Sequence, residues 1–183
     1  AADPANSSSA FQSLIGMLYG MGNGDPMSDE AWAFIDEFLL NLDGKVASSS
    51  SQVYNGVASG EYCVGLSYED PCVELQAAGE YPVKVVYAKE GTIFSGQSIQ
   101  IVKDAPHLEA AQRFVDYVLS EEVQTAVAAE LNLRPLRTGI PVNAKMIPNE
   151  EIKLFDTYSA AYIAENKPTI VNTYLEHVEM MME

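Results

Sequence analysis

The chain has 183 residues, 48% of them hydrophobic and 20% charged, apolar material enough for one large domain or about one and a half small ones. Its 10 basic against 26 acidic residues give a formal charge of −16, which argues against nucleic acid as a partner, because phosphates call for clusters of Lys and Arg. No apolar run approaches the roughly 20 residues of a membrane-spanning helix, and the acidity reads as a solvated surface.

The chain opens on Ala1-Ala2-Asp3-Pro4, a strand end running into a helix. It shows neither the basic region nor the apolar stretch of a signal peptide, and is expected to be a fragment of a longer protein. From Ser7 to Gly22 the spacing predicts a helix, with Phe11, Leu14, Ile15, Leu18 and Met21 on one face. A second starts at Ser28, whose hydroxyl suits a cap while Asp29 and Glu30 suit the positive helix end; Trp32, Ile35, Phe38 and Leu39 form its apolar face and Gly44 stops it. After Ser48-Ser49-Ser50-Ser51, Val53, Tyr54 and Val57 predict a short helix ended by Gly60. A strand over Tyr62 to Leu66, a helix from Pro71 to Ala78 and a strand over Val83 to Tyr87 follow, and this alternation predicts an α/β fold with a largely parallel sheet.

The pattern continues with a loop over Gly91 to Gly96 and a strand over Ser98 to Val102. A helix from Pro106 follows, through Ala110, Phe114, Tyr117 and Val118, and then one capped by Ser120 that carries Val123, Val127 and Leu131. Asn132 to Pro148 is aperiodic and holds three prolines, which predicts a long surface connection. Two closing helices are expected, roughly Glu151 to Glu165 and Pro168 to Met181, with Pro168 at a first helical position. Cys63 and Cys72, nine positions apart, are too few for a zinc site; a disulfide and two free thiols both fit.

Three places hold chemistry. Asn6, Ser7, Ser8 and Ser9 follow Asp3-Pro4, so a helix start with unpaired N–H groups carries hydroxyl donors as well, an arrangement suited to phosphate, phosphonate, sulfate or carboxylate. Plain capping needs only one such residue. Ser49 and Ser50 open a second helix in the same way, and two such starts at one end of a sheet would converge where α/β folds bind ligands. Tyr68 and Glu69 follow the strand Tyr62 to Leu66, offering a phenol and a carboxylate; Asp70 more simply decorates a helix start. Neither a nucleophile elbow nor a nucleotide-binding glycine loop is present, and His107 and His177 lie far apart in sequence.

Four stretches together resemble a known family. They are Ala2 to Ala10 (ADPANSSSA), Val57 to Leu66 (VASGEYCVGL), Val86 to Thr92 (VYAKEGT), and Ile101 to His107 (IVKDAPH) with the helix ending Leu119-Ser120-Glu121-Glu122-Val123-Gln124. Their order and spacing are similar to the second half of the extracellular solute-binding proteins of ABC importers, of the ferric-iron and phosphonate class. The resemblance implies a periplasmic-binding-protein-like (type II) lobe with flanking helices and an extracytoplasmic location, with no cofactor and no chemical step. Residues 1–86 would form most of the second lobe, 87–133 a hinge crossing and a piece of the first lobe, and 134–183 a return to the second. The expected partners are a small polar or anionic solute, an ABC permease, and the first-lobe half of the parent chain or a second copy, against which Phe114, Val118, Val123 and Val127 would pack. In iron-binding relatives two adjacent tyrosines ligate the metal, whereas the matching stretch here, Ser67-Tyr68-Glu69-Asp70, has one. No metal is therefore expected, and Tyr68 would be the ligand if iron is bound. The alternatives are that ferric receptor, an α/β enzyme using Glu69 and Asp70, and a structural lobe without ligand.

Overall fold

The computed structural model describes residues 1–96 and 98–182, with the backbone alone for Met182. The chain forms two compact units, Ala1–Ile93 with Lys153–Glu183 and, inserted between them in sequence, Phe94–Ile152.

The first unit is built on α1 (Ser8–Met21), α2 (Asp29–Leu42) and the long α7 (Ala160–Met182). Apolar residues at spacings of three and four give each helix one face to bury. Leu14, Ile15 and Leu18 of α1, Ile35 of α2 and Ile170 of α7 have no exposed surface, and with Phe11, Trp32 and Tyr174 they make one core. Tyr19 extends it, with Phe155 and Tyr158 at ring distances of 6.0 and 5.6 Å. Ser7 and Ser28 cap α1 and α2 with hydroxyls that accept from Ala10 N–H and Ala31 N–H. Two shorter helices, α3 (Ser50–Ala58) and α4 (Glu69–Ala78), complete the unit.

The closing segment departs from expectation. Residues 151–159 form no α-helix, and Pro168 lies inside α7 instead of opening a second helix. An interior proline loses one backbone bond, but Ile163 before it and Ile170 and Tyr174 after it are all buried, so packing carries the helix through.

The predicted α/β fold is also overturned. The chain is helical, and among the described residues there is no strand or sheet. Backbone pairing consists of two isolated parallel bridges, Ala2 with Ala47 and Thr92 with Leu154. The three segments read as strands, 62–66, 83–87 and 98–102, have no regular structure, and Val64, Val86 and Val102 are 80%, 79% and 73% exposed. A parallel strand takes its hydrogen bonds from neighbours on either side; here Val85 N–H donates to the Gln76 side chain instead.

The second unit holds α5 (Leu108–Val118) and α6 (Glu121–Glu130), then an aperiodic stretch to a short 3-10 turn at Asn149–Glu151. Polar side chains bonded to backbone staple it. The buried Gln124 donates to Val118 carbonyl at 3.0 Å and accepts from Leu136 N–H at 2.7 Å, and Asn143 donates to Ala129 carbonyl at 2.9 Å.

Candidate functional site

The Ala2–Ala47 bridge sets the geometry of the site. Asp3 N–H donates to Ala47 carbonyl and Ala47 N–H to Ala1 carbonyl, at 3.2 and 2.8 Å. Each paired residue is followed within a few positions by a serine-rich helix start, so the starts of α1 and α3 lie side by side. Ser7 Oγ is 3.2 Å from both Ser9 Oγ and Ser50 Oγ, and Ser9 and Ser50 hydrogen-bond directly. All three are partly buried.

Backbone donors surround this trio. The N–H groups of Ser8 and Ser9 on α1, and of Ser50 and Ser51 on α3, have no acceptor among the described residues. Two positive helix ends with unpaired N–H groups therefore lie side by side. The remaining predicted residues have local roles. Ser49 accepts from Gln52 N–H as the cap of α3 and lies 3.0 Å from Ser51 Oγ. Asn6 and Ser8 are exposed, and Asn6 donates to the Asp3 carboxylate at 2.5 Å.

Tyr68 and Glu69 form a second group at the start of α4. The segment that leads to them is held against α3 by close backbone approach. A Cβ on Gly65 would come within 2.7 Å of Val53, and one on Gly56 within 2.5 Å of the Tyr62 ring, distances only glycine tolerates. Tyr68, 44% exposed, meets Tyr54 of α3 edge-on at a ring distance of 6.2 Å. Burial, then Tyr54 and Asp70, push the Tyr68 phenol up from its ordinary value. Tyr87 donates to Glu69 Oε1 at 2.5 Å. Burial, then the Glu69 charge, push the Asp70 carboxyl up as well.

Tyr54 is the residue that sequence reasoning missed. The available signal was its spacing: it lies four residues after Ser50 and so on the same face of α3. Cys63 and Cys72 are free thiols, the first exposed and the second partly buried. Among the described residues no group of three or more His, Cys, Asp or Glu side chains is placed to hold a metal.

The chain belongs to the family of bacterial extracellular solute-binding proteins, which it matches over residues 1–154. Membership sets it outside the cytoplasm, in a family that binds solutes, as the four sequence stretches implied. It is 28% identical to the Iron uptake protein A1 of Synechocystis sp., over 78% of this chain and 41% of that protein. It is 24% identical to the Probable ABC transporter periplasmic-binding protein y4fP of Sinorhizobium fredii, over 76% of this chain and 41% of that protein. The chain thus spans about two fifths of the length of the curated relatives it matches. No solved structure matches it.

Proposed function

We propose that this chain carries the solute-holding part of an ABC-importer receptor. It takes a small polar or anionic solute, phosphonate-like or otherwise organic, and passes it unchanged to a membrane permease. The observation that carries this reading is the meeting of Ser7, Ser9 and Ser50 at two adjoining helix starts. An oxyanion there accepts from hydroxyls and from the unpaired N–H groups together, donors that one helix cap would not need. Tyr68 and Tyr54 add phenol donors for the rest of the solute. By the same reading, residues 1–86 form most of the second lobe, and 87–133 a hinge crossing and a piece of the first. Residues 134–183 return to the part of the chain formed by residues 1–86.

The test is a titration with inorganic phosphate and methylphosphonate, followed by backbone amide resonances. Saturable shifts at Ser8, Ser9, Ser50 and Ser51, lost in the Ser9→Ala, Ser50→Ala double variant, are expected. An anion that saturates elsewhere and leaves these four amides unmoved sinks the reading.

The ferric-iron reading has one specific observation in its favour, the contact of Tyr54 with Tyr68, which supplies a second phenol from another helix. Its obstacle is the raised Tyr68 phenol, since ferric iron is held by phenolate and the anion is disfavoured here. Adding ferric citrate is expected to give no visible charge-transfer band. A strong band that disappears in Tyr68→Phe restores iron as the cargo.

A further inference from the structure

A groove of about 360 Å³ lies between α2 and α7 in the first unit, lined by residues that take no part in the serine site. α2 contributes Asp29, Trp32 and Asp36, spaced three and four apart and so on one face; α7 contributes Thr173 and His177. The His177 ring stacks on Trp32 with centroids 4.9 Å apart and planes at 23°, and its Nδ1 lies 2.5 Å from Asp36 Oδ1.

Structural needs account for part of this. Asp29 opens α2, where the helix dipole favours an acid, and the Asp36–His177 pair ties the two helices together. Three features are left over. Asp36 lies in the middle of α2, beyond the reach of the dipole, and His177 engages one of its oxygens. Neither Asp36 Oδ2 nor Asp29 has a hydrogen-bond or ion-pair partner among the described residues, and no Lys or Arg lines the groove. Trp32 is 6% exposed, yet its indole N–H has no acceptor among the described residues, whereas buried indole N–H groups ordinarily find one.

We infer that this groove binds an organic cation bearing an oxygen acceptor beside its charge, such as a guanidinium with a nearby amide carbonyl. The cation lies against Asp29 and Asp36, and the carbonyl accepts from the Trp32 indole N–H as the ring shifts toward it. The volume is at the lower end of small-ligand sites, roughly 300–1,000 Å³, and suits one such group. This site stands whether or not the serine site holds an anion.

The chain has a single tryptophan, so its emission and its one indole N–H resonance report directly on the groove. The probes are N-acetyl-L-argininamide and its neutral isostere N-acetyl-L-citrullinamide, at physiological salt. A saturable shift of both signals is expected with the arginine probe, at least tenfold weaker with the citrulline probe. Asp36→Asn and, separately, Asp29→Asn are each expected to weaken binding at least tenfold with circular dichroism unchanged. Asp29 is exposed and apart from the His177 pair, so that variant keeps the test valid if Asp36→Asn disturbs the fold. A capped Ala-Arg-Ala peptide that binds more tightly than the free probe assigns the cation to a protein partner; equal or weaker binding assigns it to a small molecule. An unsaturable response, equal responses to both probes, or full binding by the Asp29→Asn variant overturns the inference.

Discussion

α1 and α5 both carry apolar residues at helical spacing and end in opposite surroundings. On α1, Phe11, Leu14, Ile15 and Leu18 are buried against α2 and α7. On α5 no residue is buried, and Leu108, Phe114 and Tyr117 are 51%, 59% and 58% exposed. The units around them follow suit: the first is held by an apolar core, the second by Gln124 and Asn143 bonded to backbone. Amphipathicity shows which side of a helix needs cover but does not name the cover. In our proposal this uncovered face is one that other protein covers.

The largest expected effect tests that contrast directly. Ile35 has no exposed surface, and Ile35→Ala is expected to cost about 2–5 kcal/mol, the loss of burial plus a cavity. Phe114→Ala is expected to change stability by no more than about 0.5 kcal/mol, as for exposed positions elsewhere. Urea unfolding of the two variants, with amide exchange to follow each unit separately, measures both. A Phe114→Ala cost that matches Ile35→Ala would show the α5 face covered in solution and erase the contrast.

Legibility in the sequence divides along similar lines. Helices were readable where a cap and a periodic face coincide: Ser28 before Trp32 and Ile35, and Ser120 before Val123 and Val127, both cap as their residue types require. The sheet was misread because Tyr62 to Leu66 and Val83 to Tyr87 have strand-like composition, and composition says nothing of a neighbour to pair with. Pro168 was misread for a related reason, since Ile163 and Ile170 override a local signal only through tertiary packing. At the site, the serine helix starts were visible from residue chemistry. Their joining depends on the Ala2–Ala47 bridge, and the Tyr54–Tyr68 contact depends on glycine-mediated packing of two segments. Neither has a local signature.

A middle-sized effect sharpens the same comparison through pH. Tyr174 is 3% exposed, and burial, then the Asp3 charge, push its phenol up to about 12 from an ordinary 10. Tyr19, also in the core, is raised by burial first. A raised phenol favours the neutral form in the folded protein, so its stabilisation is whole below about pH 10. It falls as pH climbs from 10 toward 12, because the unfolded chain then sheds a proton that the folded one keeps. The loss attributable to Tyr174 is on the order of 2 kcal/mol. Tyr174→Phe is expected to remove that part of the alkaline decline in urea stability while leaving neutral pH nearly unchanged. A decline of equal steepness in the variant would place its origin in groups other than Tyr174.

The smallest effect compares the units at equal chemistry. Ser28 and Ser120 are matched caps: each hydroxyl accepts, at 3.3 Å, from the N–H three residues on, and each stands before two acidic residues. Replacing either by Ala is expected to cost about 1 kcal/mol locally. The two costs should be read in different places. α2 is part of the apolar core, so Ser28→Ala should lower global stability and speed exchange of the slowest amides in α1, α2 and α7 together. α6 is tied by side-chain bonds to its own unit, so Ser120→Ala should speed exchange in α5 and α6 and leave the slowest amides of the first unit unmoved. If Ser120→Ala speeds both sets equally, the units unfold as one, and the exposed face of α5 must be argued as a feature of a single cooperative body.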